Sequence, residues 1–270
     1  MKFYGVNAAR DLSDDLERHV EALKIQGYSV LENALSPHEV EELNERVEQV
    51  YARQRSEVGE DVLEALKEKD VARCLLSYDD AFVPLAALDA VMPVVRAMLG
   101  NYVVLHLQNG IISRPSQEHH QSSWHRDLPY QFYVSSRPLA VNVYYCLCDY
   151  SPETGGTVFL PFSHREEQLP SLDYIQAHEV SPIVPAGSAI FFDSMLFHRA
   201  GHNTSTIVRR GINHVYTTGI LRQQISLPSA LDGRYRDDEF LSMLFGYGNA
   251  TPGSVKDFRE RRLARLQPAD

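Results

Sequence analysis

The middle of the chain constrains it most. Between residues 103 and 218, short runs rich in β-branched and aromatic residues recur: Val103–Leu107, Ala140–Leu147, Thr157–Leu160, Ala189–Phe192 and His214–Thr218. Each is closed off by Gly, Pro, Asn, Asp or Ser, the punctuation expected of strands. The runs are separated by turn signals rather than by long amphipathic helices. That texture predicts an antiparallel sandwich or barrel and argues against a parallel sheet.

The front of the chain reads differently. Ser13-Asp14-Asp15 precedes Leu16, Val20 and Leu23 at helical spacing, with Gly27 placed to end the helix. A strand is expected at Tyr28–Leu31. A second helix follows, with Ser36 as its cap, Pro37 in its first turn and Glu39 three residues after the cap. Residues 57–100 read as further helix, punctuated by Pro84 and Pro93 and stopped by Gly100. The expectation is one domain, mainly β with helical additions. Its parts are a mostly helical stretch over 1–100, a β core over 101–221 and an extension over 222–270 ending in a basic helix from Ser254 to Leu266. The extension and the loop 109–123 are candidates for a lid.

Composition narrows the function classes. Of 270 residues, 44% are hydrophobic, enough for a sizeable core, and the formal net charge is −10. That balance argues against nucleic acid or an anionic membrane as the main partner, because phosphate neutralisation needs clustered Lys and Arg. Cys74, Cys146 and Cys148 form no disulfide framework, and Cys146-x-Cys148 has the wrong spacing for a redox pair. No signal peptide and no long apolar span is visible. The expected setting is the cytoplasm. Oligomeric state is not legible.

Residues 124–127 read Trp-His-Arg-Asp. On an extended strand, side chains at i and i+2 share a face, so His125 and Asp127 would present an imidazole beside a carboxylate. That pair is two-thirds of the facial triad of two histidines and a carboxylate, which leaves positions open on iron(II). His198, after the run 189–192, is the distal candidate. Arg209 lies 11 positions on, where a guanidinium could grip a dicarboxylate with two parallel hydrogen bonds. Zinc held by the same three ligands is the chemical alternative.

Residues 16–221 resemble the phytanoyl-CoA dioxygenase (PhyH) family of iron(II)/2-oxoglutarate oxygenases. The resemblance is carried by Gly27-Tyr-Ser-Val-Leu-Glu-Asn, Trp124-His125-Arg126-Asp127, Thr154-Gly-Gly-Thr-Val-Phe-Leu-Pro-Phe-Ser-His-Arg165, His198-x-x-Gly201-x-Asn203 and Arg209. It implies a double-stranded β-helix, a jelly-roll or cupin-like barrel, with His125, Asp127 and His198 on Fe(II) and Arg209 on 2-oxoglutarate. It further places Gln108 and Tyr145 toward the cofactor. Asn142 lies on the same run as Tyr145 and, on a regular strand, would face the other way. The chain departs from the family at Ala200, where a cofactor-contacting Ser is frequent, with Ser205 the available substitute. It departs again at Phe162, where Gly is usual.

The function implied is oxidation of a small molecule by dioxygen and 2-oxoglutarate, releasing succinate and CO2. Because Asp127 is present, hydroxylation (or a related desaturation or rearrangement) is expected rather than halogenation. Trp124, Tyr130 and Phe197 are candidate substrate contacts, with packing the blander role for Trp124. Arg126, Arg137, Arg199 and Arg222 could favour an anionic substrate, although solvated strand ends are the commoner case. His106 and His214 read as core histidines, and His119 and His120 as loop residues. The rival classes are a silent metabolite-binding barrel that keeps its metal for structure, and a zinc hydrolase.

Overall fold

Side chains alternate along a strand, so each sheet has two faces to cover, and the architecture follows from what covers them. A computed structural model describes residues 12–117, 119–264 and 266. Its strands are β1 (Tyr28–Leu31), β2 (Val71–Arg73), β3 (Val103–Ser113), β4 (Ala140–Cys146), β5 (Thr157–Phe159), β6 (Ala189–Asp193), β7 (His198–Ala200) and β8 (Arg209–Thr218). Six form one sheet in the order β1-β6-β4-β8-β3-β2, every neighbour antiparallel. β5 and β7 pair separately, also antiparallel. The fold is mainly antiparallel sheet with helices, as the strand texture predicts.

One face of the large sheet carries the helices. Val141, Val143 and Tyr145 of β4 and Ile212 and Tyr216 of β8 share a core with Leu23, Leu43, Val47, Val50, Val94 and Val95. The other face turns Tyr144, Cys146, Ile190 and Phe192 toward Phe159 of β5. A second core therefore lies between the two sheets.

Helix α1 (Asp15–Ile25) starts where the Asp14 carboxylate accepts from the Glu17 N–H, and Gly27 turns the chain into β1 at a φ of 91°. Helix α2 (Pro37–Val58) has the full reciprocal box: the Ser36 hydroxyl accepts from the Glu39 N–H, and the Glu39 carboxylate accepts from the Ser36 N–H at 2.7 Å. The cysteines are free, Cys74 and Cys146 buried and Cys148 half-buried. Among the described residues no helix is long and apolar enough to cross a membrane.

Three expectations need correction. Residues 57–100 are not one helical stretch: they hold β2 and short helices at Glu60–Ala65, Leu75–Tyr78, Val83–Ala86 and Met92–Leu99. β3 does not end at Leu107 but runs to Ser113, so residues 109–113 are strand and not lid. Asn109 and Gly110 weaken the local strand signal, yet β8 on one side and β2 on the other pair with that stretch and override it. In the C-terminal extension, Leu227, Leu231, Leu244 and Phe245 pack into the helix-side core instead of covering the inner face. The Gln223 amide fastens that segment, donating to the carbonyls of Leu105 at 2.8 Å and Phe245 at 3.0 Å. The terminal helix is Val255–Ala264, and residues 265 and 267–270 lie outside the described residues.

The α2 cap gives a measurable contribution. Ser36→Ala removes the hydroxyl that accepts from the Glu39 N–H, leaves the Ser36 N–H bond to the Glu39 carboxylate in place, and should lower unfolding stability by about 1 kcal/mol. In urea denaturation the midpoint should fall with the slope unchanged. An unmoved midpoint would show that α2 is held by packing alone.

Candidate metal centre

His125 and Asp127 lie on an extended stretch that pairs with β7 rather than on a full strand. The His125 N–H donates to the His198 carbonyl at 3.0 Å and the His198 N–H returns to the His125 carbonyl at 3.1 Å. Two residues on, the Asp127 N–H donates to the Ser194 carbonyl at 3.1 Å. The i, i+2 geometry thus turns both side chains inward as expected. His125 Nε2 is 3.7 Å and His198 Nε2 3.6 Å from Asp127 Oδ1. One ligand atom from each of the three residues lies within 4.8 Å of the others.

Each imidazole is aimed from behind. Nδ1 of His125 meets the Ser123 carbonyl at 2.8 Å, and Nδ1 of His198 meets the Leu196 carbonyl at 2.9 Å. A carbonyl accepts only from N–H, so each Nδ1 carries the proton and each Nε2 lone pair faces the cluster. His125 Nε2 is buried with no hydrogen-bond partner. An orphaned acceptor in a buried site is costly, and a divalent cation would satisfy it. The donor set therefore fits a metal that accepts two imidazoles and one carboxylate and keeps other positions open.

The electrostatics agree. Burial pushes the Asp127 carboxyl up, but His198, His125 and the amides of Asn213 and Asn142 outweigh it and hold the group below its ordinary range. Burial lowers His198, against the pull of Asp127. An ionised carboxylate beside a neutral imidazole is the state a metal ion requires.

Asp127 is held by Asn142, the alternative to Tyr145 on its run, and by Asn213, which the sequence reading did not single out. Asn142 of β4 donates through Nδ2 to Asp127 Oδ2, and Asn213 of β8 donates to the same oxygen at 3.1 Å. The Asn142 amide also donates to Asn213 Oδ1 at 3.0 Å, and the Ser194 hydroxyl donates to Asn142 Oδ1. Asn142 pairs in register with Val215, so Asn213 is its diagonal neighbour on the same face.

The two cofactor expectations beside the arginine are corrected by the same alternation. Asn142 and Tyr144 face inward, whereas Tyr145 faces the helices and its hydroxyl donates to the Leu85 carbonyl at 3.1 Å. Gln108 pairs in register with His214, also on the helix side. Its amide accepts from the Leu76 N–H at 2.8 Å and donates to the Phe82 carbonyl at 3.0 Å and to His214 Nε2 at 2.8 Å. Neither Gln108 nor Tyr145 is turned toward the cluster. Tyr144 is, with burial pushing its phenol up to about 12, so the hydroxyl stays a donor.

Arg209 opens β8 with its side chain 2% exposed. It donates to the Gly155 carbonyl and lies 5.3 Å from the Tyr150 ring centroid. Among the described residues no carboxylate pairs with it. Arg210, one residue on, faces outward and pairs with Glu48 at 2.7 Å. A narrow cavity of about 20 Å³ lies between the metal cluster and Arg209, walled by Ile111, Asp127, Tyr144, Thr157, Phe192, His198, Ala200, Arg209 and Asn213. Ser205 does not join it: its hydroxyl donates to Asn203 Oδ1 at 2.6 Å.

The substrate expectations divide. Trp124 and Phe197 pack with Leu160 and Ile175 in a small outer cluster, so their place is structural. The Arg126 guanidinium covers the Phe197 ring at 3.8 Å and binds the carbonyls of Met195 and Ser163, which ties it to packing as well. Arg199 pairs with Glu179 at 3.0 Å. Tyr130 is 54% exposed on the loop after Asp127, beside exposed Phe132 and Tyr133. His214 is the core residue expected, pushed down to about 3 by burial. His119 starts a short turn, its Nδ1 accepting from the Gln121 N–H at 3.2 Å.

An antiparallel β body that gathers two histidines and an aspartate beside a buried arginine defines a candidate non-haem metal protein. The chain belongs to the phytanoyl-CoA dioxygenase (PhyH) family, whose model matches residues 23–211. It is 32% identical over 221 residues to an uncharacterized protein of Mycobacterium tuberculosis, covering 80% of each chain. To the ectoine dioxygenase of Nocardia farcinica it is 27% identical over 238 residues, covering 75% of this chain and 78% of that one. Among solved structures, EctD from S. alaskensis with 2-oxoglutarate and 5-hydroxyectoine superposes with a TM-score of 0.66 at 23% identity. That match covers 79% of this chain and 81% of that one. The epimerase SnoN in complex with Fe3+, alpha ketoglutarate and nogalamycin RO superposes with a TM-score of 0.58 at 18% identity, covering 76% and 84%. These structural likenesses concern the fold.

The amide pair carries a testable consequence. Asn142→Ala should weaken binding of Mn(II) or Fe(II) by about 10–100-fold, the usual cost of removing a group that orients a metal ligand. Anaerobic calorimetric titration, with circular dichroism as the check on folding, reads this directly. Undiminished affinity in a folded variant would show that Asp127 needs no amide cradle.

Proposed function

We propose that this chain is an iron(II)- and 2-oxoglutarate-dependent dioxygenase that hydroxylates a small organic molecule, a single oxygenase domain on a double-stranded β-helix. The observation that carries the reading is one cleft with a His125–Asp127–His198 cluster at one end and, at the other, a buried arginine that has no carboxylate partner among the described residues. A dicarboxylate spanning that cleft supplies what both ends lack. When bound, iron(II) and 2-oxoglutarate supply dioxygen activation: one oxygen atom goes to succinate, formed with CO2, and the other to the substrate.

The protein's own part is position and shielding. Asn142 and Asn213 keep the Asp127 carboxylate ionised and oriented, and the Ser123 and Leu196 carbonyls fix both imidazoles. Arg209 grips the distal carboxylate, where a planar guanidinium offers two parallel donors. Ile111 and Phe192 put apolar surface along the cleft and keep water from its walls. Asp127 occupies the position that a halide would need, which favours hydroxylation over halogenation. The loop bearing Tyr130, Phe132 and Tyr133 is the proposed substrate rim, replacing the C-terminal extension in that role.

Two similar proteins, the ectoine dioxygenase of Nocardia farcinica and EctD with 2-oxoglutarate, agree with this chemistry without choosing the substrate. Both a zinc hydrolase and a silent barrel leave the buried Arg209 without a purpose. The structure offers neither of them an observation of its own.

Anaerobic addition of iron(II) and 2-oxoglutarate to the metal-free protein should produce a weak visible charge-transfer band. Arg209→Ala should lose it at the same cofactor concentration. Under air with substrate, or more slowly without, the protein should form succinate, and His198→Ala should not. Iron binding with neither band nor succinate would remove the oxygenase reading.

A further inference from the structure

Three strands of the large sheet present the same layers in the same order. On β8 the inward side chains run from Arg209 through Asn213 to Val215, and on β4 from Tyr144 through Asn142 to Ala140. On β3 they run from Ile111 to Leu107, which pairs in register with Val215. The amide layer holds Asp127. Arg209 therefore lies to one side of the metal cluster, and Val215, Ala140 and Leu107 lie to the other, about 7 Å beyond the amides. Together with Leu128 and Met195 they form an apolar cluster. None of these side chains carries a charge, so an ionic group placed among them would go unpaired.

His106 borders that cluster on a β-bulge. Leu105 pairs with Tyr216 and Leu107 with Val215, which leaves His106 as the extra residue. Bulges re-aim a side chain and recur beside active sites. The residue is 5% exposed, and among the described residues its Nδ1 has no hydrogen-bond partner. It is thus not the satisfied core histidine expected from the sequence. Burial lowers its pKa while the Asp127 charge raises it, so the ring lies within electrostatic reach of the metal cluster. A second orphan sits on the loop after Asp127. Gln131 is buried and its N–H donates to the Leu128 carbonyl at 3.0 Å, but its Oε1 has no partner among the described residues. Buried polar atoms are rarely left unpaired, and two on one side of a metal cluster call for a ligand. A hydroxyl both donates and accepts, so it pairs with a neutral imidazole in either tautomer. We propose that the substrate binds on this far side of the metal, that it is a neutral, mainly hydrocarbon molecule bearing a hydroxyl, and that His106 binds that hydroxyl. The proposal rests on the oxygenase reading above and names a substrate class for it.

The test uses protein loaded with Mn(II) and saturating 2-oxoglutarate under anaerobic conditions, so that no turnover occurs. Three probes of similar shape are titrated: benzyl alcohol, toluene and benzoate. Paramagnetic relaxation of the probe protons reports binding beside the metal. Benzyl alcohol should bind about fivefold or more tightly than toluene, the worth of one hydrogen bond. Benzoate should show no saturable relaxation. His106→Leu, with folding checked by circular dichroism, should bring benzyl alcohol to the affinity of toluene and leave toluene and Mn(II) binding unchanged. Toluene or benzoate binding to wild type as tightly as the alcohol overturns the proposal, and so does relaxation of no probe at all. These wild-type results hold even where the variant fails to fold. An alcohol preference that survives in folded His106→Leu overturns it too. The charge-transfer band of wild type with iron(II) and 2-oxoglutarate is read in parallel. Its absence removes the oxygenase reading and the proposal with it, whereas a band without alcohol binding removes the proposal alone.

Discussion

A carboxylate largely enclosed between two sheets is the constraint on which this structure depends. Asp127 sits where desolvation opposes ionisation, and a charge left there without partners would not persist. His198 and His125 offset that cost first, and two amides from adjacent strands add to them at a single oxygen, Oδ2, leaving Oδ1 facing both imidazoles. The amides reach that oxygen only in one register. Slipping β4 against β8 by a residue would send Asn142 to the helix side and bring Tyr145 inward. The Ser194 hydroxyl settles the orientation of the first amide, because an acceptor at Asn142 Oδ1 forces its NH2 toward Asp127.

The same parity explains what the sequence could and could not tell. The ligands were legible because their chemistry is local: His-x-Asp needs only an extended backbone, and a distal histidine needs only a neighbouring strand. Arg209 was separable from Arg210 once β8 was known to begin at that residue, since the two point to opposite faces. Tyr145 and Asn142 show the limit. They sit three apart on one apolar run, so one must face inward, but nothing within the run says which. The cross-strand partners decide it, and those are properties of the sheet. Gln108 fails in the same way, since its amide bridges Leu76, Phe82 and His214 on the helix side. The strand β2 and the second half of β3 were missed for a related reason. Three residues flanked by Lys69-Asp70 and by Cys74, and an Asn-Gly pair in mid-strand, carry little local preference and are strands because each pairs with the other. The extension after residue 222 has the Gly, Pro and charge of a loop, and only its contacts reveal that four apolar residues anchor it to the core.

The two ends of the cleft impose different demands. At the metal end, three ligand atoms must lie within 4.8 Å of one another and two amides must reach the same carboxylate by hydrogen bonds. The element that supplies them is correspondingly over-determined, with backbone bonds running both ways between His125 and His198 and a further one from Asp127 to Ser194. At the arginine end, the requirement is to satisfy a carboxylate, and many arrangements of donors do so. Arg209 and Asn213 lie four residues apart on one face of β8, about 13 Å along the strand, so a single strand fixes both ends of the cleft.

That difference in tolerance bears on how loss at a motif position should be read. Position 200 is alanine and offers no hydroxyl to the cleft. A donor can move between paired positions because the carboxylate senses where the O–H points and not which strand carries it. A metal ligand cannot move so freely, because its lone pair must arrive along a fixed direction set by the group behind it. The direction of each imidazole lone pair is therefore fixed by the carbonyl behind it, while a donor at the other end of the cleft has more latitude.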